Sequence, residues 1–285
     1  NSTHQFSTPG TYQVKLVVTS NFGCKDSVTI PITIDPKPTV DFAFANLCEN
    51  DVTQFTDGSS IGSGAVNTWR WDFDGLGASS AQNPTFTFPS AGTYDVKLVS
   101  GSGVGCLDSI TKQVTIIANP TADAGVDQDI CPGTSVQIGV TPVAGFTYSW
   151  TPTAGLSSST VANPIATPTT PTAYTVVITE TATGCSDDAV MNVTFNSVPT
   201  PLFTVDKTCI NQITEFTDAS TIVTGTITAW SWDFDDAAAS STLQNSTHQF
   251  STPGTYQVKL VVTSNFGCKD SVTIPITIDP KPTVD

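Results

Sequence analysis

The cysteines of this sequence are numerous enough, and spaced regularly enough, to form disulfide bonds. The chain of 285 residues has 7 cysteines, and four of them follow a glycine. The cysteines are Cys24, Cys48, Cys106, Cys131, Cys185, Cys209 and Cys268. Disulfide bonds form and persist in oxidising surroundings. If these cysteines pair, the sequence predicts an extracellular, cell-surface protein.

Catalysis has few candidate residues by comparison. The two histidines, His4 and His248, are too few for a His-rich metal site. Neither histidine lies near a zinc-protease helix motif, a nucleophile-elbow motif or a phosphate-loop motif. We therefore expect no enzyme, no catalytic residue and no bound cofactor.

Charge and hydropathy exclude two further classes of protein. The chain has 25 acidic and 10 basic residues, a net charge of −15, and a single arginine, Arg70. A nucleic-acid reader needs a stripe of Lys and Arg that this chain does not have. The longest apolar stretches, such as 114–118, are too short to span a bilayer. We expect neither nucleic-acid binding nor membrane insertion.

An internal repeat decides most of the domain organisation. Residues 1–41 recur without a single change at 245–285, which is an offset of 244 residues. Fixed-period repetition is typical of modular arrays in which each unit contacts its neighbours. We interpret the chain as one full 244-residue period plus an overlap, taken from a longer tandem array.

A second, degenerate repeat divides the period into modules. Two segments, 38–118 and 198–282, share the motifs FTD, WxWDFD, GTYxVKLV and GCxDS, and we call them the first and second X modules. Residues 119–197 between them form a different unit, the Y module. Residues 1–37 are the back part of another X module, a copy of 245–281, and 283–285 begin the next repeat. Proline-containing linkers separate these units.

The local pattern predicts an all-β fold of tandem Ig-like sandwiches strung end to end. Short Thr-, Val- and Ile-rich runs alternate apolar and polar residues, with turn residues every 8–12 positions. Trp71, Trp232 and Trp150 lie on such runs and are expected in the cores, as in other Ig-like sandwiches. Tyr94 and Tyr256, in Gly-Thr-Tyr sequences, fit a tyrosine corner. Strands of this kind predict a period ~100–130 Å long.

The X modules resemble the PKD domain family. WDFD, NPTFTF and AGTYDVKL, between Trp71 and Leu98, are similar to that family's WxFGDG, NPxHxY and GxYxVxL motifs, although the glycine between Phe73 and Asp74 is missing. The Y module is similar to the Ig-like repeats that alternate with PKD modules in giant surface proteins of Bacteroidota. Many of those are adhesins exported by the type IX secretion system, and some serve gliding motility. The resemblance implies such a setting for this chain.

Two kinds of surface site follow from the resemblance. Some PKD domains bind calcium through aspartates near the WxF strand, and the matching acids here are Asp72, Asp74, Asp233 and Asp235, together with Asp123, Asp127 and Asp129. We favour a solvated acidic face over a calcium site for these residues. Three Asp-Ser-aliphatic triplets match the Bacteroidota O-glycosylation pattern, with acceptors Ser27, Ser109 and Ser271.

Cysteine spacing alone suggests pairing within modules, as Cys48–Cys106, Cys131–Cys185 and Cys209–Cys268. Strand order argues against it, because one cysteine of each module precedes strand B and the other follows strand F. The A–B and F–G turns lie at opposite ends of an Ig-like sandwich, ~25–30 Å apart. A disulfide needs Cα atoms within ~4.4–6.8 Å.

End-to-end stacking brings the A–B turn of one module to the F–G turn of the next. It predicts Cys48–Cys185 and Cys131–Cys268, with Cys24, Cys106 and Cys209 bonded beyond this stretch of chain. Residues 1–37 lack strands A to C of their module, so they are not expected to fold alone.

The function that these features favour is a structural segment of a long extracellular adhesin stalk or surface filament, which projects a distal binding domain. Its expected partners are neighbouring repeats of the same chain. A domain outside this segment is expected to bind surface polysaccharide or other cells. One alternative is a carbohydrate-binding accessory module of a secreted hydrolase, which needs a row of exposed aromatic side chains. The other is a self-assembling multi-chain fibre, which identical repeats permit by symmetry.

Overall fold

A computed structural model describes residues 2–103, 105–237 and 239–282. All of its regular elements are β-strands, so the predicted all-β fold is confirmed. Within this part of the chain we find no helix with the length and apolar character needed to cross a membrane. The proposed start of the next repeat, 283–285, lies outside the described residues.

The chain divides into two compact units. The first comprises Asn1–Pro120 with Thr179–Asp187, and the second comprises Thr121–Ile178 with Asp188–Asp285. The turn that joins the two longest strands of the Y module therefore belongs to the first unit, while the rest of that module belongs to the second.

The first unit begins with an isolated hairpin. Its strands are β1 (Gly10–Thr19) and β2 (Lys25–Ile34), which pair antiparallel over their full length, from Gly10 opposite Ile34 to Thr19 opposite Lys25. Both strands are rich in Val, Ile and Thr, which favour the extended backbone. The hairpin forms a two-stranded sheet by itself.

The first X module of the same unit is a sandwich of two sheets. One has the order β3-β4-β7 and the other the order β6-β5-β8-β9. The strands are β3 (Phe42–Ala45), β4 (Val52–Asp57), β5 (Val66–Phe73), β6 (Ala78–Ser79), β7 (Thr85–Thr87), β8 (Gly92–Ser102) and β9 (Leu107–Ile116).

The second unit contains most of the Y module and the second X module. The Y sheets have the orders β10-β15-β14-β12 and β11-β13, with β10 parallel to β15. The strands are β10 (Gln128–Ile130), β11 (Val136–Gln137), β12 (Phe146–Thr151), β13 (Ile165–Ala166), β14 (Thr172–Glu180) and β15 (Ser186–Phe195).

The second X module repeats the topology of the first. Its sheets have the orders β16-β17-β20 and β19-β18-β21-β22. The strands are β16 (Phe203–Asp206), β17 (Ile213–Asp218), β18 (Ile227–Asp233), β19 (Ser240–Ser241), β20 (Ser246–Gln249), β21 (Gly254–Ser264) and β22 (Lys269–Ile278).

Each sandwich has its own core, centred on the tryptophan that the sequence places there. Trp71, Trp150 and Trp232 are buried, and each indole N–H donates to a backbone carbonyl at 2.8–2.9 Å. A buried indole needs such an acceptor, because an unpaired buried N–H is costly. These tryptophans are therefore core residues and not a ligand-stacking platform.

The tyrosines of the Gly-Thr-Tyr sequences form the predicted corners. The Tyr94 hydroxyl donates to the Ser90 carbonyl at 2.8 Å, and the Tyr256 hydroxyl donates to the Thr252 carbonyl at 2.9 Å. Each bond returns four residues along the chain, which fixes the entry into the long strand β8 or β21.

Candidate functional site

The two cysteines of each X module lie at opposite ends of its last strand. In the first X module, Cys106 immediately precedes β9, a strand of 10 residues, and Cys48 forms a parallel bridge with Ile117, just after β9 ends. At ~3.3 Å per residue the two are roughly 35 Å apart. The second X module repeats this arrangement, with Cys268 before β22 and Cys209 bridged to Asp279.

The structure contains two disulfides, and each joins neighbouring modules. Cys48, in the turn between β3 and β4 that is the A–B turn of the first X module, bonds Cys185, in the turn between β14 and β15 that is the F–G turn of the Y module. Their Cα atoms are 5.4 Å apart. Cys131, between β10 and β11 in the A–B turn of the Y module, bonds Cys268, between β21 and β22 in the F–G turn of the second X module, also with Cα atoms 5.4 Å apart. Both bonds are the ones that end-to-end stacking predicts, and each lies within one compact unit.

The alternative pairing within modules is wrong. Cys48–Cys106, Cys131–Cys185 and Cys209–Cys268 are not formed, since Cys48, Cys131, Cys185 and Cys268 are used between modules. The physical reason is the length of the last strand, which separates the cysteines of one module by far more than the ~4.4–6.8 Å that a disulfide tolerates.

The remaining three cysteines are free thiols in this structure. Cys24 and Cys209 are exposed, and Cys106 is half-buried. They occupy the same turns as the bonded cysteines: Cys24 and Cys106 lie in F–G turns, and Cys209 lies in an A–B turn. These thiols therefore lie at positions equivalent to those of the cysteines that bond between modules.

The bonded cysteines give the chain a mechanical property. Each disulfide closes a loop of 137 residues, and the two loops overlap between Cys131 and Cys185. A disulfide limits how far its loop can be extended, because the bond joins the two ends of the loop directly. Because the loops overlap, a force applied to the two ends of the chain passes through both disulfides in series.

Sequence reasoning missed a polar network that recurs in both X modules. The carboxylate of Asp57, the last residue of the FTD motif, accepts hydrogen bonds from the Trp69 indole at 2.7 Å, the Ser59 backbone N–H at 2.9 Å and the Gln82 amide at 3.2 Å. Asp218 accepts the corresponding bonds from Trp230, Ser220 and Gln244. A signal was present, since Asp-x-Ser and Gln-Asn recur in both copies.

The environment of these two aspartates changes their acidity. Partial burial raises the pKa of Asp57, but the hydrogen bonds from Ser59, Trp69 and Gln82 outweigh it and hold the pKa below 3.8. The pKa of Asp218 is lowered by the same balance of burial against hydrogen bonds. The network connects strand β4 to β5, and β17 to β18, so its role is to join the two sheets of each sandwich.

The aspartates proposed as calcium ligands in the X modules serve the turn after the WxF strand. Asp72 accepts a hydrogen bond from the Gly75 N–H at 2.9 Å, and Asp233 accepts one from the Asp235 N–H at 3.0 Å. Asp74 and Asp235 have φ values of 57° and 56°, a left-handed conformation that Asp tolerates better than most residues. Each directly follows the phenylalanine of the WxF sequence.

The acids of the Y module are also engaged locally. Asp123 accepts from the Gly125 N–H, and Asp127 accepts from the Asn192 N–H at 2.7 Å, while Asp129 accepts from the Thr194 hydroxyl. The contact of Asp129 joins β10 to β15, and that of Asp127 joins the residue before β10 to β15. Throughout residues 2–103, 105–237 and 239–282, no three His, Cys, Asp or Glu side chains form a group that could hold a metal ion.

The three proposed O-glycosylation acceptors share one position. Ser27, Ser109 and Ser271 are exposed and lie near the start of β2, β9 and β22. The backbone N–H of each donates to the carboxylate of the preceding aspartate at 2.7–2.9 Å. Modification at these serines stays a prediction.

Solved structures with similarity to the chain include two bacterial PKD domains. The PKD1 domain of Vibrio anguillarum Epp has 20% identity and a TM-score of 0.28, and covers 30% of this chain and 99% of that one. The PKD1 domain of the Vibrio cholerae metalloprotease PrtV has 24% identity and a TM-score of 0.26, covering 29% and 98%. The titin I-band fragment I67–I69 has 14% identity and a TM-score of 0.37, covering 87% and 100%.

Family comparison gives the clearest result. No curated protein matches the chain significantly. The PKD domain model matches residues 35–117 and 196–278, which include the FTD aspartates, the core tryptophans and the tyrosine corners of both X modules. These two matches make up more than half of the sequence, and the chain therefore belongs to the PKD domain family.

Proposed function

We propose that this chain is a repeat segment of a long extracellular adhesin stalk or surface filament, which projects a distal binding domain away from the cell. The single observation that carries the proposal is the pair of disulfides between modules. A covalent bond at a junction limits the hinge between neighbouring domains, which otherwise move relative to one another by default.

Repetition supports the same function. The unchanged recurrence of the segment 1–41 at 245–285 is useful to a spacer, because length scales with the number of copies. An enzyme gains little from identical copies, so we propose a structural and non-catalytic role without a cofactor. The partners are neighbouring repeats, and the adhesive ligand, a surface polysaccharide or another cell, is bound by a domain elsewhere.

The setting that fits this role is the outside of a Bacteroidota cell, with export by the type IX secretion system and a role in gliding motility or attachment. Disulfides are typical of extracellular proteins, and they support this localisation. The acidic surface, with a net charge of −15, keeps neighbouring stalks from associating.

The test is immunogold electron microscopy of intact cells that produce the protein, with an antibody against the Y module. We expect gold particles along thin threads outside the cell, at intervals of ~100–130 Å per period. Thick multi-chain fibres would favour the self-assembling alternative. Label confined to the medium, together with polysaccharide binding by the purified chain, would favour the accessory module of a secreted hydrolase.

A further inference from the structure

The leading hairpin exposes an apolar face. Val14, Leu16 and Val18 of β1 are 41%, 60% and 55% exposed, and Ile30 and Ile32 of β2 are 56% and 38% exposed. These residues alternate along their strands, and Val14 lies opposite Ile30, so all five lie on one face. A contiguous apolar face of this kind marks an interaction surface.

The same sequence is buried in the second X module. There the counterparts of Val14, Leu16 and Val18 are Val258, Leu260 and Val262, each 0% exposed. The difference cannot come from the sequence, because residues 1–41 and 245–285 are identical. It comes from what covers the hairpin.

In the second X module the covering segment is 198–244. Strand β18 of this segment pairs with β21, with Trp232 opposite Leu260 and Trp230 opposite Val262. Three of its aromatic residues, Phe203, Phe216 and Trp232, complete the core against the hairpin. Strand β1 has no corresponding neighbour among the described residues, since its sheet contains only β1 and β2.

Cysteine positions point to the same segment by an independent route. Cys209 forms a parallel bridge with Asp279, and Asp279 corresponds to Asp35 in the repeat. The Sγ of Cys106 lies 4.0 Å from the Asp35 carbonyl oxygen. A copy of 198–244 docked on the leading hairpin would therefore bring its own copy of Cys209 beside Asp35, next to Cys106.

We propose that the hairpin 1–37 and Cys106 form an acceptor site for a segment with the sequence of residues 198–244, supplied by the preceding repeat, and that the cysteine of this segment bonds Cys106. This inference rests on the array in the proposed function. It adds a third junction disulfide between modules, of the same A–B to F–G type as Cys48–Cys185 and Cys131–Cys268.

Formation of the bond is a two-electron oxidation. The two thiols lose two protons and two electrons as the sulfur–sulfur bond forms, and a small-molecule disulfide such as oxidised glutathione accepts them and becomes two thiols. Cys106 is half-buried and Cys209 is exposed, so both sulfurs are accessible to exchange before docking closes the site.

The test uses the full chain with a copy of residues 198–244 placed directly before Asn1, as they stand before Asn245. The extended chain is oxidised in a glutathione buffer, and Cys106 is mapped by alkylation and non-reducing peptide analysis. We expect alkylation of Cys106 to fall about tenfold, and amide exchange in β1 to slow by ~100-fold or more, toward that of β21. Cys24 should stay alkylated, because its own partner lies in a still earlier module.

Two variants of the extended chain serve as controls. Replacing the added copy of Cys209 with serine should leave Cys106 alkylated while β1 stays protected, which separates docking from bonding. Leu16→Asp should remove the protection of β1 and leave β21 unchanged. Formation of Cys48–Cys185 and Cys131–Cys268 reports that the rest of the chain has folded.

A Cys106 that remains fully alkylated in a correctly folded extended chain, or a β1 that exchanges as fast as before, would overturn the proposal. If the extended chain does not fold, the 198–244 polypeptide is instead added separately to the 285-residue chain. A mixed disulfide at Cys106 then supports the proposal, and its absence contradicts it. Neither outcome depends on where the protein is located, so the stalk function is tested separately by microscopy.

Discussion

The overlap of the two disulfide loops predicts an unusual response to force. When the chain is pulled from its ends, Cys48 and Cys268 can separate only by the length of the shortest covalent path that joins them. With both bonds intact, that path passes through Cys48–Cys185, runs back along the chain to Cys131 and leaves through Cys131–Cys268. The extensible part of the path is therefore only the stretch 131–185, instead of the whole stretch 48–268.

Removing one bond changes the path very little. With Cys48→Ser the shortest path becomes the stretch 48–131 followed by Cys131–Cys268. Because 48–131 is somewhat longer than 131–185, the extensible length grows by about 100 Å at roughly 3.6 Å per residue. The matched variant Cys131→Ser gives the same gain, since its path uses the equally long stretch 185–268. Removing both bonds frees the whole stretch 48–268 and adds about 600 Å on the same basis.

The assay is single-molecule force spectroscopy on the full chain, with Cys24, Cys106 and Cys209 replaced by serine in every sample to prevent exchange. The expected contour-length gains are about 100 Å for each single variant and about 600 Å for the double variant. In this background the pairing within modules leaves only Cys131–Cys185. With this pairing, Cys48→Ser would not change the contour length, and Cys131→Ser would increase it by about 200 Å. That result would refute the overlapping loops.

Three further predictions concern the individual modules. The pKa of Asp218 is lower in the folded than in the unfolded protein, so the stabilisation it provides is present above pH 3.8 and is lost as the pH falls through the folded pKa. Asp218→Asn should therefore weaken the acid dependence of amide exchange in the second X module. The acid dependence in the first X module, where Asp57 is intact, should not change. Gly139→Ala places a methyl group 2.0 Å from the Ala162 carbonyl oxygen, at a φ of +78°. We expect the unfolding free energy of the Y module, measured by hydrogen exchange, to fall by about 3 kcal/mol or more. The control Gly133→Ala has a φ of +79° but no atom within 4 Å of the new methyl group, and it should cost only about 1–2 kcal/mol. Tyr256→Phe removes the 2.9 Å corner bond, which should cost the second X module about 1 kcal/mol on the same measurement.

The features that sequence reasoning predicted depend on strand order and periodicity. The placement of Trp71 and Trp232 in the cores follows from alternation along a strand. The bonds Cys48–Cys185 and Cys131–Cys268 follow from the turns in which the cysteines lie, because a strand of 10 residues separates the two ends of a sandwich.

The features that it missed depend on contacts between distant segments. Asp57 accepts hydrogen bonds from Trp69 and Gln82, which lie 12 and 25 residues further along the chain, and only the repetition of these residue types in both copies hints at the network. The turn role of Asp74 likewise depends on its left-handed backbone, which residue composition does not reveal. The opposite surroundings of Leu16 and Leu260 show the limit most clearly, since their local sequences are identical.

The central claim is that neighbouring modules of this chain are joined covalently, and non-reducing peptide mapping of the purified, oxidised protein tests it most directly. Proteolysis followed by mass spectrometry should yield one peptide pair that joins Cys48 to Cys185 and another that joins Cys131 to Cys268. A peptide pair that joins Cys48 to Cys106, or Cys131 to Cys185, would contradict the claim and leave the modules as independently bonded domains on a flexible string.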